Sequence, residues 1–279
     1  MLNEKSSGGV GPCYVSTDAT GKVLLVAHYG GGCVKSFLID TNGAIGADGT
    51  FSQHVGQGVN PDRQAGPHAH FITTDPNNHF ALVCDLGLDK VVVYALDTKT
   101  GTLDLKSGCT PPTVPPGSGS RHLVFSRDSK FVHVINEMAC TITTLKWNKK
   151  DGTLAPIETV SALPASVPWQ TNFTAAEILV HPSGKYVYAT VRGTGADLVS
   201  VYAADSKTGE LTWLQSIGSG GEIPRGLGID PTGHWLITGN QKSNNAMEYA
   251  IDVKTGLLTP MGRELKMGSP IAVQFVRAE

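Results

Sequence analysis

Apolar positions along this chain come in short runs separated by clusters of Asp, Asn, Ser, Pro and Gly, and in five places the runs follow the same order. The copies read TDATGKVLLVAHYGGGCVKSFLIDTNGAI, TDPNNHFALVCDLGLDKVVVYALDTKTGTL, SRDSKFVHVINEMACTITTLKWNKKDGTL, HPSGKYVYATVRGTGADLVSVYAADSKTGEL and DPTGHWLITGNQKSNNAMEYAIDVKTGLL. Each predicts a first apolar strand, an Asp-Pro-Gly-like turn, a second strand, a loop, a third strand ending in Tyr or Phe, an acidic turn closed by Gly, and a fourth strand. Gly43, Gly101, Gly152, Gly209 and Gly256 occupy the same place in each copy. A spacing of roughly 50 residues carrying four strands is the pattern of a β-propeller blade. One blade cannot bury both of its faces, so neighbours supply each other's core, and the repeat predicts a single domain over residues 1–279.

The first strands are entered through GPCYV, GPHAHFI, SGSRHLVF, TAAEILV and IPRGLGI, and a sixth such approach, Ser269-Pro270-Ile271-Ala272-Val273-Gln274-Phe275, follows the fifth copy. The expectation is an all-β chain with five complete four-stranded blades plus one C-terminal strand. Residues 1–9 offer no strand to complete the sixth blade. That fits a seven-bladed ring truncated at its N-terminus by roughly 85 residues. A five-bladed ring with a spare strand also stays open, since rings of roughly four to eight blades form. An open ring exposes sheet faces that favour self-association, so both a monomer and a homodimer are expected forms.

Composition narrows the partners. Lys and Arg total 22 against 24 Asp and Glu, with no basic run, which argues against nucleic acid and anionic membranes. No stretch is apolar for long enough to span a bilayer, and the opening MLNEKSSGG has no apolar signal core, so a cytoplasmic setting is expected. The five cysteines, Cys13, Cys33, Cys84, Cys109 and Cys140, form no C-x-x-C pair and read as buried reduced thiols.

Strand direction alternates within a blade, so the first-strand entrance and the loop after the second strand open on the same end. The unusual polar residues collect there. His68, His70, Arg121, His122, Glu177 and Arg225 lie at first-strand entrances; His28, Tyr29, Asp85, Asn136, Glu137, Arg192, Asn240 and Gln241 lie at second-strand ends. The other end carries generic turn residues such as Asp75, Pro76, Pro182 and Asp230. This segregation predicts one polar pocket at a mouth of the central channel. Clustered arginines suit a small polyanion, because guanidinium forks onto phosphate or carboxylate, while Glu and His add acid–base capacity. No Walker loop, G-x-S-x-G or HExxH motif is present. No cofactor is expected, and no metal, since no third ligand is spaced near His68 and His70.

Plainer roles compete at each position. His68 and His70 alternate on one strand and share a face, where catalysis, anion binding or a structural hydrogen bond would each suit them. Arg121 could brace a neighbouring blade, and Glu137 could be a solvated loop residue. Glu177 interrupts the apolar run FTAAEILV and must be paired or neutral; Arg192 and Arg225 are the candidate partners. Asn240 and Gln241 suit loop bracing, Tyr29 with Gly30–Gly32 suits a turn, and Pro111–Pro116 suits a blade connector.

In GPHAH, RHL at Arg121–Leu123, VINE ending in Glu137, AAEI around Glu177, VRG at Arg192, IPRG around Arg225, GNQ at Asn240 and the final SPIAVQF, the chain resembles the lactonase-type seven-bladed propellers. These include bacterial 6-phosphogluconolactonases and fungal 3-carboxy-cis,cis-muconate lactonizing enzymes. The resemblance runs from Gly11 to Val276; it departs at the N-terminus and at GSGSRH, where the family more often has Pro directly before Arg. It implies that His68 or His70, Arg121, Glu137 and Arg192 are catalytic. Glu177, Arg225, Asn240, Gln241 and Tyr29 complete the set on the substrate side. The implied activity is that of a metal-independent carboxylic-ester hydrolase acting on a small anionic sugar lactone, foremost 6-phosphogluconolactone to 6-phosphogluconate. The arginines would hold the phosphate and the developing oxyanion, and Glu137 or a histidine would activate water. Cyclisation of a carboxylated muconate is the alternative chemistry, and a non-catalytic binding module the alternative class.

Overall fold

The structure is a computed structural model that describes residues 1–106 and 113–276. Its strands form five four-stranded sheets, and among the described residues there is no helix. The first sheet runs β1 (Pro12–Thr17), β2 (Val23–His28), β3 (Cys33–Ile39), β4 (Ile45–Gln53); the second runs β5 (Ala69–Thr74), β6 (Phe80–Asp85), β7 (Lys90–Asp97), β8 (Thr102–Leu105). The third contains β9 (Ser120–Phe125), β10 (Phe131–Asn136), β11 (Thr141–Asn148) and β12 (Thr153–Ser161). The fourth contains β13 (Thr174–Val180), β14 (Tyr186–Arg192), β15 (Leu198–Ala204) and β16 (Leu211–Gly218); the fifth, β17 (Pro224–Ile229), β18 (Trp235–Asn240), β19 (Asn245–Ile251) and β20 (Leu258–Lys266).

Burial follows strand position. β6, β10 and β14 are buried along their whole length, which is why FALVCD, FVHVIN and YVYATVR read as continuous apolar runs. The fourth strands β12 and β20 are largely exposed. The turn after the first strand is built by an aspartate. Asp18 Oδ1 accepts the N–H groups of Lys22 and Val23 at 2.6 and 2.7 Å, and Asp75 and Asp230 repeat the arrangement. The acidic turn before the fourth strand needs glycine twice over. All five repeat glycines have positive φ. A Cβ on Gly152, Gly209 or Gly256 would also stand 2.4–2.6 Å from the ring of Phe80, Phe131 or Tyr186.

The chain divides into two compact units: Met1–Arg121 with Trp147–Pro156, and His122–Lys146 with Ile157–Glu279. The first unit has a core of Val23, Leu25, Val34, Ile72, Val83 and Tyr94 between its first two sheets. In the second, one core gathers Ile135, Ile142, Phe173, Val187 and Tyr202, and another Tyr188, Val201, Leu236 and Tyr249.

Two expectations differ from what is observed. The segment Ser269–Phe275 runs beside β17, where a Cβ on Gly228 would meet Val273, but it is not a strand. A strand requires a ladder partner, and the segment has none among the described residues. Of the thiols, Cys33, Cys84 and Cys140 are buried as expected, but Cys13 is exposed. Cys109, Pro111 and Pro112 lie outside the described residues.

Candidate active site

Three first strands carry a shift in register where a candidate residue sits. Pairing slips between Ala69 and Phe71 at His70, between Ala175 and Ile178 at Glu177, and between Pro224 and Gly226 at Arg225. An extra residue in one strand leaves the ladder and re-aims its side chain, a device common beside active sites. The shift interrupts the simple alternation at His70, yet His68 and His70 both lie against the ring of Tyr29. His70 is buried within the shift, while His68 precedes β5 and stays half-buried.

In the first unit, Tyr29 follows β2 and faces the histidines. Its ring stacks on His68 with centroids 4.5 Å apart and meets His70 edge-on at 5.7 Å. The Tyr29 carbonyl accepts a hydrogen bond from His68 Nδ1 at 2.8 Å. A carbonyl only accepts, so Nδ1 carries the proton, and in the neutral ring Nε2 keeps its lone pair.

Asp85, at the end of β6 and fully buried, organises the backbone behind this ring. Its Oδ1 accepts the N–H of His68 at 2.8 Å and of Leu88 at 3.2 Å. Its Oδ2 lies 2.6 Å from His54 Nδ1, His54 Nε2 lies 2.8 Å from Tyr94 Oη, and Tyr94 Oη lies 3.1 Å from Ser52 Oγ. Burial, with a contribution from the Asp85 charge, pushes the Tyr94 hydroxyl up to about 12. Tyr94 thus keeps its proton, and its hydroxyl lies between the His54 ring and the Ser52 hydroxyl.

Arg121, on β9, is buried. Burial and the Asp85 charge raise the Cys84 thiol, and the Arg121 guanidinium opposes that rise, which places the three groups together. The approach to Arg121 is held by Asp89, which accepts the N–H groups of Gly117 and Gly119 at 2.7 Å each. Ser120 Oγ lies within 2.9 Å of both the Asp85 and Lys90 carbonyls.

The second unit arranges its charges as pairs. Glu137 follows β10, Arg192 ends β14, and Arg192 Nη2 donates to Glu137 Oε2 at 3.0 Å with both side chains buried. Arg192 Nε also donates to Thr174 Oγ1. Glu177, within the register shift of β13, has His122 as a partner, with Nδ1 2.8 Å from Oε1. Arg225 and Gln241 are half-buried. Asn240 is buried and braces a loop through Nδ2 to the Ser219 carbonyl at 3.0 Å, while its Oδ1 has no hydrogen-bond partner among the described residues. His28 is likewise structural: it is buried, with ring nitrogens against the Cys33 carbonyl and Ser7 Oγ.

Among the described residues, no group of three or more His, Cys, Asp or Glu is placed to hold a metal ion. No helix is long and apolar enough to cross a membrane. Pockets of about 500 Å³ beside Trp213 and about 320 Å³ beside His133 contain none of the candidates. Sequence reasoning missed His54, Tyr94 and Arg63. The first two lie in no motif. Arg63 stands in the turn sequence Asn60-Pro-Asp-Arg-Gln just before GPHAH, and that adjacency was the available signal.

Comparison with known proteins places the chain in a family. The sequence model of the family described as lactonase, 7-bladed beta-propeller, matches residues 1–275. The 6-phosphogluconolactonase of Bacillus subtilis is 30% identical over 276 residues, covering 99% of this chain and 76% of that protein. A probable 6-phosphogluconolactonase of Arthroderma benhamiae is 31% identical over 96% of this chain and 69% of its own length. Among solved structures, a putative 6-phosphogluconolactonase from Bacteroides fragilis superimposes with a TM-score of 0.90 at 31% identity, covering 99% of this chain and 76% of that one. A periplasmic gluconolactonase from Pseudomonas aeruginosa does so with a TM-score of 0.85 at 26% identity, covering 95% and 73%.

Proposed function

Because this chain belongs to the lactonase family of seven-bladed β-propellers, we propose that it is a metal-independent lactone hydrolase that opens 6-phosphogluconolactone to 6-phosphogluconate, with its five sheets as blades. The observation that carries the reading is the fixed tautomer of His68. Two groups are candidates for taking the proton of the attacking water. Glu137 is engaged by Arg192 at 3.0 Å, which favours its charged form and weakens it as a base. His68 has Nδ1 satisfied by the Tyr29 carbonyl, so its Nε2 is the better acceptor.

In this reading His68 Nε2 takes a proton as the water oxygen bonds to the lactone carbonyl carbon. The carbonyl oxygen becomes an oxyanion, stabilised by preorganised positive charge such as Arg121 supplies. The ring C–O bond then breaks, and the proton on Nε2 passes to the departing ring oxygen. The balance is lactone plus water to hydroxy acid, with no covalent enzyme intermediate. His70 meets the Tyr29 ring edge-on beside His68.

The test is steady-state hydrolysis of 6-phosphogluconolactone, corrected for the spontaneous reaction. His68→Ala should lower kcat by about 10²–10⁴ while the protein still melts cooperatively, and treatment with a chelator should leave turnover unchanged. A His68→Ala protein with near-normal kcat ends the assignment of the base. A folded wild-type protein without turnover ends the assignment of the substrate.

A further inference from the structure

Arg63 is half-exposed on a loop whose anchor, Gln64, is buried. Asn60 Oδ1 accepts the N–H groups of Asp62 and Arg63 at 3.0 and 3.1 Å. Gln64 folds back beneath them: its N–H donates to the Asn60 carbonyl at 2.7 Å, its Oε1 accepts the Asn60 N–H at 3.1 Å, and its Nε2 donates to the Leu86 carbonyl at 2.8 Å. Gln64 is fully buried, while Arg63 beside it is half-exposed. The loop is thereby pinned just past the end of β6, and Arg63 Nη2 stands 3.4 Å from Tyr29 Oη. That phenol belongs to the ring stacked on His68.

Arg121 and Arg192 are more deeply placed than Arg63, whereas Arg225 shares its intermediate exposure. Arg121 is 2% exposed beside Asp85 and Cys84, and Arg192 is buried against Glu137. A phosphate monoester is strongly hydrated, and moving it against a deeply buried cation removes water from both charges. A half-exposed guanidinium binds it at lower desolvation cost and keeps the fork that matches phosphate oxygens. In a sugar lactone phosphorylated at its far end, the phosphate lies away from the reacting carbonyl. The Tyr29 ring supplies that separation, with His68 stacked on its face and Arg63 at its hydroxyl.

Resting on the lactonase reading above, we propose that Arg63, with the Tyr29 hydroxyl, holds the phosphate of the substrate and determines the preference for phosphorylated over plain sugar lactones. Arg63 takes no part in proton transfer, so its signature is a ratio rather than a rate. The experiment measures kcat/KM for 6-phosphogluconolactone and for glucono-1,5-lactone in wild type, Arg63→Gln and Arg63→Lys, with calorimetric titration of 6-phosphogluconate into each. Arg63→Gln should reduce the preference about 10- to 100-fold, the scale of lost hydrogen bonds to a charged group, and weaken 6-phosphogluconate binding by a similar factor. Arg63→Lys should fall between, since an ammonium keeps charge without the fork; it also decides the matter if Arg63→Gln does not fold. A preference within threefold of wild type in either active variant overturns the proposal. If wild type turns over neither lactone, the lactonase reading fails by itself, and the titrations still decide the role of Arg63. In that case equal 6-phosphogluconate affinity in wild type and variants, or no binding at all, overturns it.

Discussion

The two units hold their buried carboxylates in opposite ways. In the first, Asp85 is surrounded by donors: the backbone N–H groups of His68 and Leu88, and the imidazole of His54. In the second, Glu137 faces the guanidinium of Arg192, and Glu177 faces His122. Asp85 therefore acts as a bracket for the backbone on which His68 sits, and the His68 ring itself stays outside that network. Glu137 is itself one end of an ion pair with Arg192, which weakens it as a proton acceptor. Proximity to a site does not name the base; the partners already engaged do.

Breaking the second-unit pair should have the largest effect. Arg192→Met removes the guanidinium that donates to Glu137 Oε2 and should cost about 3–5 kcal/mol in urea unfolding. A cost for the single variant below about 1 kcal/mol would mean that water reaches the pair and that Glu137 is freer to act as a base than its geometry suggests.

A second contrast sets His54 against His133. His54 has a carboxylate beside it. His133 has Thr144 Oγ1 at 3.0 Å, and burial pushes it down to about 4 from 6.5. Between those values the unfolded chain binds more protons than the folded one. His133 therefore destabilises the fold progressively as pH falls from 6.5 to 4, by about 3 kcal/mol in all, with no such penalty above 6.5. Unfolding midpoints measured across this range should show a slope that His133→Gln flattens; an unchanged slope assigns it to other groups.

The smallest effect concerns the hydrogen-bond chain behind Asp85. Tyr94→Phe removes the hydroxyl that lies between His54 and Ser52 and should cost about 1 kcal/mol of stability. If turnover also drops, the chain helps to orient His68; if only stability drops, the backbone bonds to Asp85 suffice.

The strand and turn repeat was legible because its signals are local. Aspartate accepting two N–H groups four and five residues on, glycine at positive φ, and unbroken apolar runs in the middle strands are each complete within one copy of the repeat. The segment Ser269–Phe275 carries the same apolar pattern, yet pattern alone does not make a strand, because ladder bonds come from a second segment.

The chemistry divides along the same line. Amino-acid order by itself determined which residues stand at strand entrances and strand ends: His68, Arg121, Glu137, Arg192 and Arg225 are where the repeat puts them, while Glu177, expected at an entrance, lies in the middle of β13. Only the tertiary structure decided how they are used. It turned His70 and Glu177 out of alternation through register shifts, joined Glu177 to His122 across 55 residues, and placed His54 against Asp85 across 31. Register slips and side-chain partners between sheets are set by packing and by the need to satisfy every buried polar group, which is a property of the assembled core and is not written in any single copy of the repeat.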